Sequence, residues 1–488
     1  MNKIMPVEKI IQHLKKYSFK SIYCFFVITA FGCTAQFKNA NVKEQSLPKS
    51  FKNLNDSSSI SDINWRNYFS DTILIQLIDT ALTNNFDLQI ALQKIEISRS
   101  GVRMAKGSLL PQVGLNLGGG IRRFGLYTMD GAGNISTEIT PGQIVPINLP
   151  DIFPSLQASW EIDIWGKLKN KRKSAISNYL SSIEGTNFVI SSLVAEVAIN
   201  YYELLALDNE LELVQQTILK QQDALEIVKM QKEAGRTNEL ALQQFSANLL
   251  NSKIIEKETL QQIVIFENKI NFLLGRFPLN FIRKKEELLN APAQIFNAGI
   301  PSQLLQNRPD IRKAEFLVKS ANFDLKSAKA SFYPNLNITA ALGFQAFKPE
   351  LLFITPSSLA YNALGNLMAP MINRNALKAH FNLAKASQIS AMYEYQKTIL
   401  NGFVEVHNEL ANIKILNDMY DLKKEQTEIL QQSVETSNQL FFAGKASYLE
   451  VLVAQQSSLQ RELELIINVK KQRIAGVNIY KALGGGWR

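Results

Sequence analysis

Cysteine is nearly absent: the 488 residues contain two, Cys24 and Cys33. If an export leader is removed, at most one remains, so no disulfide framework can be built. Histidine is as scarce, with three residues, His13, His380 and His407. Neither of the last two has a ligand-type residue at i+4, so structural or surface roles outweigh metal binding. No glycine-rich phosphate loop follows a strand: the GGG at 118–120 lies within an alternating segment, and that at 484–486 is in the C-terminal tail. No Ser or Cys nucleophile is matched with a base. An enzyme is therefore not expected, and neither a cofactor nor a metal is implied. No uninterrupted apolar run of 18 residues occurs, so no membrane-spanning helix is expected.

Proline is missing where it would do most damage. None of the 15 prolines falls in residues 155–277 or 371–488. An interior proline costs a helix about 3 kcal/mol, so two such tracts read as very long helices. Each tract carries a glycine in a turn-like context, Gly235 in KEAGRTNEL and Gly444 in FFAGKASYL. Glycine just past a helix end, followed by Thr237 or Ser447 as N-cap, predicts a helical hairpin in each tract. Arms of roughly 40–60 residues would give rods of about 60–90 Å. Ile176, Leu180, Ile183, Ile190, Val194, Val197, Tyr201, Leu204, Leu211, Ile218 and Leu225 follow 4-3 spacing, a coiled-coil seam with polar gaps at Asn187, Asp208, Gln215 and Gln222.

The first 20 residues carry five Lys and one Glu, and the mostly apolar SIYCFFVITAFG follows. This is the charge and hydropathy profile of a secretory signal over residues 1–32. FGC places Cys33 after a small residue, as in a bacterial lipoprotein signal, although Ala30 and Phe31 stand where a Leu and a small residue are usual. Lipidation is expected at Cys33; simple cleavage nearby is the alternative. Residues 33–70 then form a linker. Without the leader the chain holds 48 basic and 42 acidic residues, so part of the net charge of +10 belongs to the leader.

Ahead of each Pro-free tract lies a pair of alternating segments. Val113, Leu115, Leu117 and Ile121 alternate with Gly, Asn and Arg; Leu156, Ala158, Trp160, Ile162 and Ile164 with Gln, Ser, Glu and Asp; Leu336, Ile338, Ala340, Leu342 and Phe344 with Asn, Thr and Gly. The fourth, LAYNALGNLMAPM, is looser. Period-two alternation with aromatics on the apolar face is the pattern of membrane β-barrel strands. Four strands cannot close a lumen, and an open sheet edge is not tolerated in lipid. Three copies would give 12 strands. A soluble sheet with one wet face is the alternative.

The chain also repeats itself. A shift of 223 residues superimposes Asn84 on Asn307, Asp87 on Asp310, Ser108 on Ser331 and Pro111 on Pro334. A shift of 209 superimposes Glu196 on Glu405, Gly235 on Gly444 and Gly275 on Gly484. A period this long is a duplicated domain, not a solenoid. The expected division is 71–290 and 291–488. Each half would hold a helix, a β-hairpin (about 112–165 and about 335–371) and a helical hairpin turning at 235 or 444. The 14-residue difference falls in the first β-hairpin's connection, which is rich in Gly, Asn, Thr and Pro.

ASWEIDIWGKLKN at 158–170, LLQNRPDIRKAE at 304–315 and FFAGKASYLEVLVAQQSSL at 441–459 resemble motifs of TolC-like outer-membrane efflux proteins. With FGC at 31–33, the chain is most similar to the NodT-type lipoproteins that serve resistance-nodulation-division (RND) pumps. The resemblance spans nearly all of 60–488. It implies a mostly helical, internally duplicated homotrimer in which a 12-stranded membrane β-barrel continues into a periplasmic α-helical barrel. It also implies a passive exit duct working with an inner-membrane pump and a periplasmic adaptor. Drugs, toxic compounds or metal ions are the implied cargo. The exit duct of a type I protein-secretion system is the rival within transport, and a structural coiled-coil lipoprotein the rival outside it.

In that family acidic residues after the second helical turn help close the pore. YLEVLVAQ puts Glu450 at the first such position and Val453 at the second, usually an Asp, so a paired-carboxylate ring is not preserved. Three Glu450 carboxylates in one constriction would repel one another and attract cations. Glu239, after the first turn, is a further candidate. The alternative for Glu450 is a solvated helix residue. Gly235 and Arg236, with Gly444 and Lys445, would meet the adaptor. Lys167, Lys169, Lys171, Arg172 and Lys173 form a basic cluster that suits anionic headgroups at a membrane junction, or a solvated helix start, far better than nucleic acid.

Overall fold

The structure is a computed structural model and describes residues 48, 51, 59–284, 288, 299–372 and 374–488. The leader, Cys33, most of the 33–70 linker and the expected division at 290/291 lie outside these residues. All those described belong to one unit, Glu44–Arg488.

The helices in chain order are α1 (Trp65–Tyr68), α2 (Thr72–Asn84), α3 (Phe86–Gly107), α4 (Met129–Ser136), α5 (Lys167–Glu233), α6 (Glu239–Leu273), α7 (Leu304–Asn307), α8 (Pro309–Ala330), α9 (Asn375–Phe442) and α10 (Tyr448–Ala482). The strands are β1 (Gln112–Arg123), β2 (Glu138–Thr140), β3 (Gln143–Ile144), β4 (Asn148–Ile162), β5 (Asn335–Phe344) and β6 (Leu359–Met368). Both Pro-free tracts are helical hairpins, but the arms are unequal. The outgoing arms α5 and α9 have 67 and 68 residues, about 100 Å each, and the returning arms α6 and α10 have 35 each.

The returning arms stop early because glycines end them. Gly275 and Gly484 have φ of 64° and 95°. At each, two amides bond back in the Schellman pattern: Gly275 to Phe272 and Arg276 to Asn271, Gly484 to Lys481 and Gly485 to Tyr480. A side chain at either glycine would strike another segment, for a Cβ at Gly275 would lie 2.4 Å from the Asn84 carbonyl oxygen and one at Gly484 2.6 Å from that of Asn307. Residues superimposed by the two sequence shifts thus make the same contact, Gly275 against Asn84 and Gly484 against Asn307.

The upper half of α5 packs on α3 and α8, the lower half on α6 and α10. The expected apolar seam is displaced in its first three turns. Ser174, Ser177, Ser181 and Glu184 are buried there, while Ile176, Leu180 and Ile183 are half-buried. The small hydroxyl residues let α8 approach and bond across: Ser174 to Ser320 (2.9 Å), Ser181 to the Lys313 carbonyl (3.3 Å), and Glu184 to Arg312 (2.6 Å). Further along, Val194, Val197, Tyr201, Leu204 and Ile218 are buried as the heptad requires.

The main core is a belt where α5, α6, α8, α9 and α10 meet the N-terminal helices. Leu74, Ile78, Tyr201, Leu205, Ile270 and Ile479 are at or near zero exposure. One stretch of α5 is long and apolar enough to cross a membrane, but more than half of it is buried inside this belt. It is a core helix. The 484–486 tail is also packed: Trp487 Nε1 donates to the Asn307 carbonyl at 3.1 Å, and Ser191 Oγ to that of Gly485 at 2.5 Å.

β1, β4, β5 and β6 form one antiparallel sheet in that order. Its strands end at Ile162 and Met368, a few residues short of the expected hairpin limits. The long first connection is partly ordered, containing α4 and the small β2–β3 pair.

Candidate functional site

The register decides what each sheet face presents. Leu115 lies opposite Leu156, Leu156 opposite Leu342, and Leu342 opposite Tyr361. Val113, Ala158, Ala340 and Ala363 form the next such row. Period-two geometry therefore gathers most of the apolar residues of the four strands on one side, while Leu149, Phe153, Leu364 and Met368 fall on the other. Those on the first side are not covered by protein, with Leu117 77% and Tyr361 80% exposed. The opposite face carries Gln112, Asn116, Gln157, Ser159, Asn337, Thr339, Asn362 and Asn366 with several glycines. A sheet with an exposed apolar face and a hydrated face suits lipid on one side and water on the other.

The sheet joins the helices through the WEIDIWGK stretch. Gly166 adopts φ 78°, turning β4 into α5, and cannot cap the helix with a side chain. Asp163 does this instead: its two oxygens accept from the amides of Leu168 (3.0 Å) and Lys169 (2.7 Å), placing negative charge at the helix N-terminus. Trp165 stacks on Tyr333 with centroids 5.0 Å apart and donates to the Pro334 carbonyl at 2.7 Å. Trp160 donates to the Leu109 carbonyl at 3.0 Å. These half-exposed indoles occupy the sheet's helical end, as an interfacial aromatic girdle would. The basic cluster divides here. Lys167 pairs with Glu161 at 2.8 Å and Lys173 lies over the Phe323 ring, while Lys169, Lys171 and Arg172 point to solvent.

At the belt the RPD stretch forms a junction. Pro309 takes the first position of α8, where its missing amide costs nothing. Arg308, 5% exposed, bonds both oxygens of Asp310 (3.1 and 2.7 Å), Glu405 (2.8 Å) and the Ala482 carbonyl (2.7 Å). Burial alone would weaken its hold on the proton, but bonds to Asp310 and Glu405 prevail and its pKa is raised. Gly402 makes room, since a Cβ there would lie 3.1 Å from Arg308 Nε. A second junction, Arg283 with Asp208 and Glu267, joins the chain after α6 to α5 and α6.

The two helical turns come together at the far end of the hairpins. Gly235 and Gly444 both adopt φ 69° in Schellman turns, with Arg236 bonding back to Gln231 and Lys445 to Leu440. Val228, Ala241, Phe245, Val451 and Leu452 form a small core joining the turns. The first N-cap is Asn238, not Thr237; its Oδ1 accepts from the Ala241 amide at 3.0 Å because the turn is one residue longer than expected. At the second, Ser447 and Glu450 form a capping box in which the Ser447 amide donates to Glu450 at 3.0 Å.

The structure thus places Glu239, Glu450 and Val453 on the tip surface. Glu239 is paired with Lys232 across the first turn, Glu450 is tied to its own helix start, and exposed Val453 follows one turn later. Gly235, Arg236, Gly444 and Lys445 are exposed at the same tip. The capping role of Asp163 was missed in the sequence, where an Asp three residues ahead of Gly166 was its only local signal. Asp310 is two residues from Arg308, but its other partners, Glu405 and the Ala482 carbonyl, are 97 and 174 residues away, and Asp208 is 75 residues from Arg283; these had no local signal.

The family model for outer membrane efflux proteins matches residues 77–276 and 300–485. The chain belongs to this family. Its relatives include the probable outer membrane lipoprotein SilC of Salmonella typhimurium, 27% identical over 96% of this chain and 98% of its own length. The cation efflux system protein CusC of Escherichia coli is 28% identical over 89% and 91%. The toluene efflux pump outer membrane protein TtgF of Pseudomonas putida is 26% identical over 88% and 86%. Crystal structures of CusC (TM-score 0.79, 25% identity, covering 92% of this chain and 99% of that one) and of the open Neisseria gonorrhoeae MtrE channel (0.79, 23%, 93% and 98%) share the fold. The efflux protein is accordingly an outer-membrane channel, and its relatives are channel proteins rather than enzymes.

Proposed function

We propose that the chain is the passive exit duct of a tripartite RND-type pump, assembled as a homotrimer. One observation carries the reading: the apolar sheet face ends at two unpaired edges, β1 and β6, that run in opposite directions. A lipid-embedded edge leaves backbone groups unsatisfied. Because β1 and β6 are antiparallel, β6 of one copy can pair with β1 of the next without reversing the alternation, and three copies close a 12-stranded barrel.

Uncovered apolar stripes on the helices support the same assembly. Ile90, Ile97 and Met104 on α3, and Ile415, Leu422 and Ile429 on α9, repeat at heptad spacing and are exposed. Such stripes on a single chain mark contact with another. The repeated order of helix, β-hairpin and helical hairpin, with its four Schellman glycines, supports an internal duplication dividing near residue 290. Each copy would then add two similar units to a six-fold-like tube.

Cys33 would carry lipid and anchor the N-terminus. Lys169, Lys171 and Arg172 would face anionic headgroups. Gly235, Arg236, Gly444 and Lys445 would meet the adaptor, and Glu450, Val453 and Glu239 would line the aperture. Cargo would be drugs, toxic compounds or metal ions, for relatives are named for cation and toluene efflux. The duct itself does no chemistry. The test is complementation: in cells lacking their own ducts, expression with the adjoining adaptor and pump should restore resistance to a pump substrate. Assembled protein that restores none would overturn the reading.

A further inference from the structure

The two shifts that superimpose the sequence halves also superimpose their elements. Moving α3 by 223 residues gives the bounds of α8, and moving α6 by 209 gives those of α10. Strand pairing follows the same rule. Gln112 opposite Ser159 becomes Asn335 opposite Met368, and Val113 opposite Ala158 becomes Leu336 opposite Leu367, so β5 and β6 repeat the register of β1 and β4. Within the chain the first half meets the second along one seam. There β4 pairs with β5, Ala158 opposite Ala340 and Ser159 opposite Thr339, and α5 lies against α8 with Ser174 bonded to Ser320. The second half carries the counterparts of β4 and α5, namely β6 and α9. The first half carries the counterparts of β5 and α8, namely the free edge β1 and α3.

We infer that neighbouring copies repeat this seam residue for residue, an inference that rests on the homotrimer proposed above. The shifts carry the pair Ala158 and Ala340 to Leu367 opposite Leu117 of the next copy, and the pair Ser159 and Thr339 to Met368 opposite Asn116 of the next copy. The contact of Ser174 with Ser320 becomes Leu383 of α9 against Ile97 of the next copy's α3. Two observations support the transfer, and neither was used to make it. The register sets apolar-face residues opposite one another, Leu367 and Leu117, and hydrated-face residues likewise, Met368 and Asn116, whereas a slip of one residue would cross the faces. Leu367, Leu117, Leu383 and Ile97 are each exposed, by 64% to 77%, so large apolar side chains stand uncovered where the neighbour is placed. The two seams differ in chemistry. Hydroxyls and the Glu184–Arg312 ion pair join the halves, while the corresponding residues between copies are Tyr393 and Gln89, and apolar contact takes over.

The test is disulfide trapping of the full-length protein in outer-membrane vesicles. Directly opposed residues on neighbouring strands have Cβ atoms about 4.5–5.5 Å apart, within reach of a disulfide, whereas diagonal neighbours lie about 7–8 Å apart. Chains carrying both Leu117→Cys and Leu367→Cys are oxidised with copper phenanthroline and run on a denaturing gel without reductant, and chains carrying either alone control for Cys33. β1 and β6 are opposite edges of their own sheet, so a link between them joins different copies. The double variant should shift from the one-chain to the three-chain position and return on reduction, and Ile97→Cys with Leu383→Cys should do the same. Leu115→Cys with Leu367→Cys, a slip of two residues that keeps the faces, should stay at the one-chain position. A three-chain complex by native mass spectrometry that links through Leu115 instead, or through neither strand pair, would overturn the register and leave the trimer standing. A single chain throughout would overturn both.

Discussion

The Ser447 amide and the Glu450 carboxylate are 3.0 Å apart, so the residue expected to guard the aperture also fastens the start of α10. Charge and capping can be separated. Glu450→Gln keeps an acceptor for the amide and removes the charge, while Glu450→Ala removes both and costs about 0.5–2 kcal/mol of local stability. If the charge closes the channel, both variants raise closed-state conductance and vancomycin sensitivity. If the cap does, only the alanine variant leaks. Neither variant leaking would remove Glu450 from the aperture.

Gly444→Ala places a Cβ on a residue at φ 69°, at a cost of about 1–2 kcal/mol. Open space surrounds that position, so the rest of the chain should be unaffected. Capture of the adaptor on immobilised protein is expected to weaken, with normal yield of the assembled oligomer. Unchanged capture would show that this turn does not meet the adaptor.

Arg308→Lys should be severe despite keeping the charge. Lysine cannot hold both Asp310 oxygens, Glu405 and the Ala482 carbonyl together, and breaking a buried pair costs about 3–5 kcal/mol. Thermal unfolding and resistance to trypsin between α8 and α9 are the readouts, and a variant as stable as the parent would contradict the junction's role.

Glu210 gives a pH signature. Burial raises its pKa, nearby Lys470 opposes this and Glu203 adds to it. A carboxyl whose folded pKa is raised binds its proton more tightly when folded, so it detracts from stability at neutral pH. That penalty fades as pH falls through the raised value toward the ordinary 4.5. Glu210→Gln should therefore raise the melting temperature at pH 7 and lose its advantage near pH 4. An advantage independent of pH would place its origin elsewhere.

The elements most legible in the sequence were those set by local rules. Proline-free tracts, paired glycines and period-two alternation located both helical hairpins and all four main strands. The unequal arms were not legible, because Gly275 and Gly484 act through contacts with Asn84 and Asn307 that no local pattern reveals. The displaced seam on α5 had the same origin: burial of Ser174, Ser177 and Ser181 is dictated by α8, nearly 150 residues away along the chain. At the tip, Glu450 could be singled out by resemblance, but its bond to Ser447 belongs to the general S-x-x-E capping pattern and was equally readable from spacing.

The sheet account is tested by charge. Leu115→Arg, on the apolar face, should cost about 2–4 kcal/mol at mid-membrane and abolish assembly, whereas Asn116→Arg, on the hydrated face, should assemble normally. The central claim, that edges β1 and β6 are satisfied by neighbouring copies, is tested most directly by the mass of the detergent-extracted particle. Native mass spectrometry should find three chains in one heat-sensitive complex. A single chain that stays dispersed in water without detergent would contradict the account.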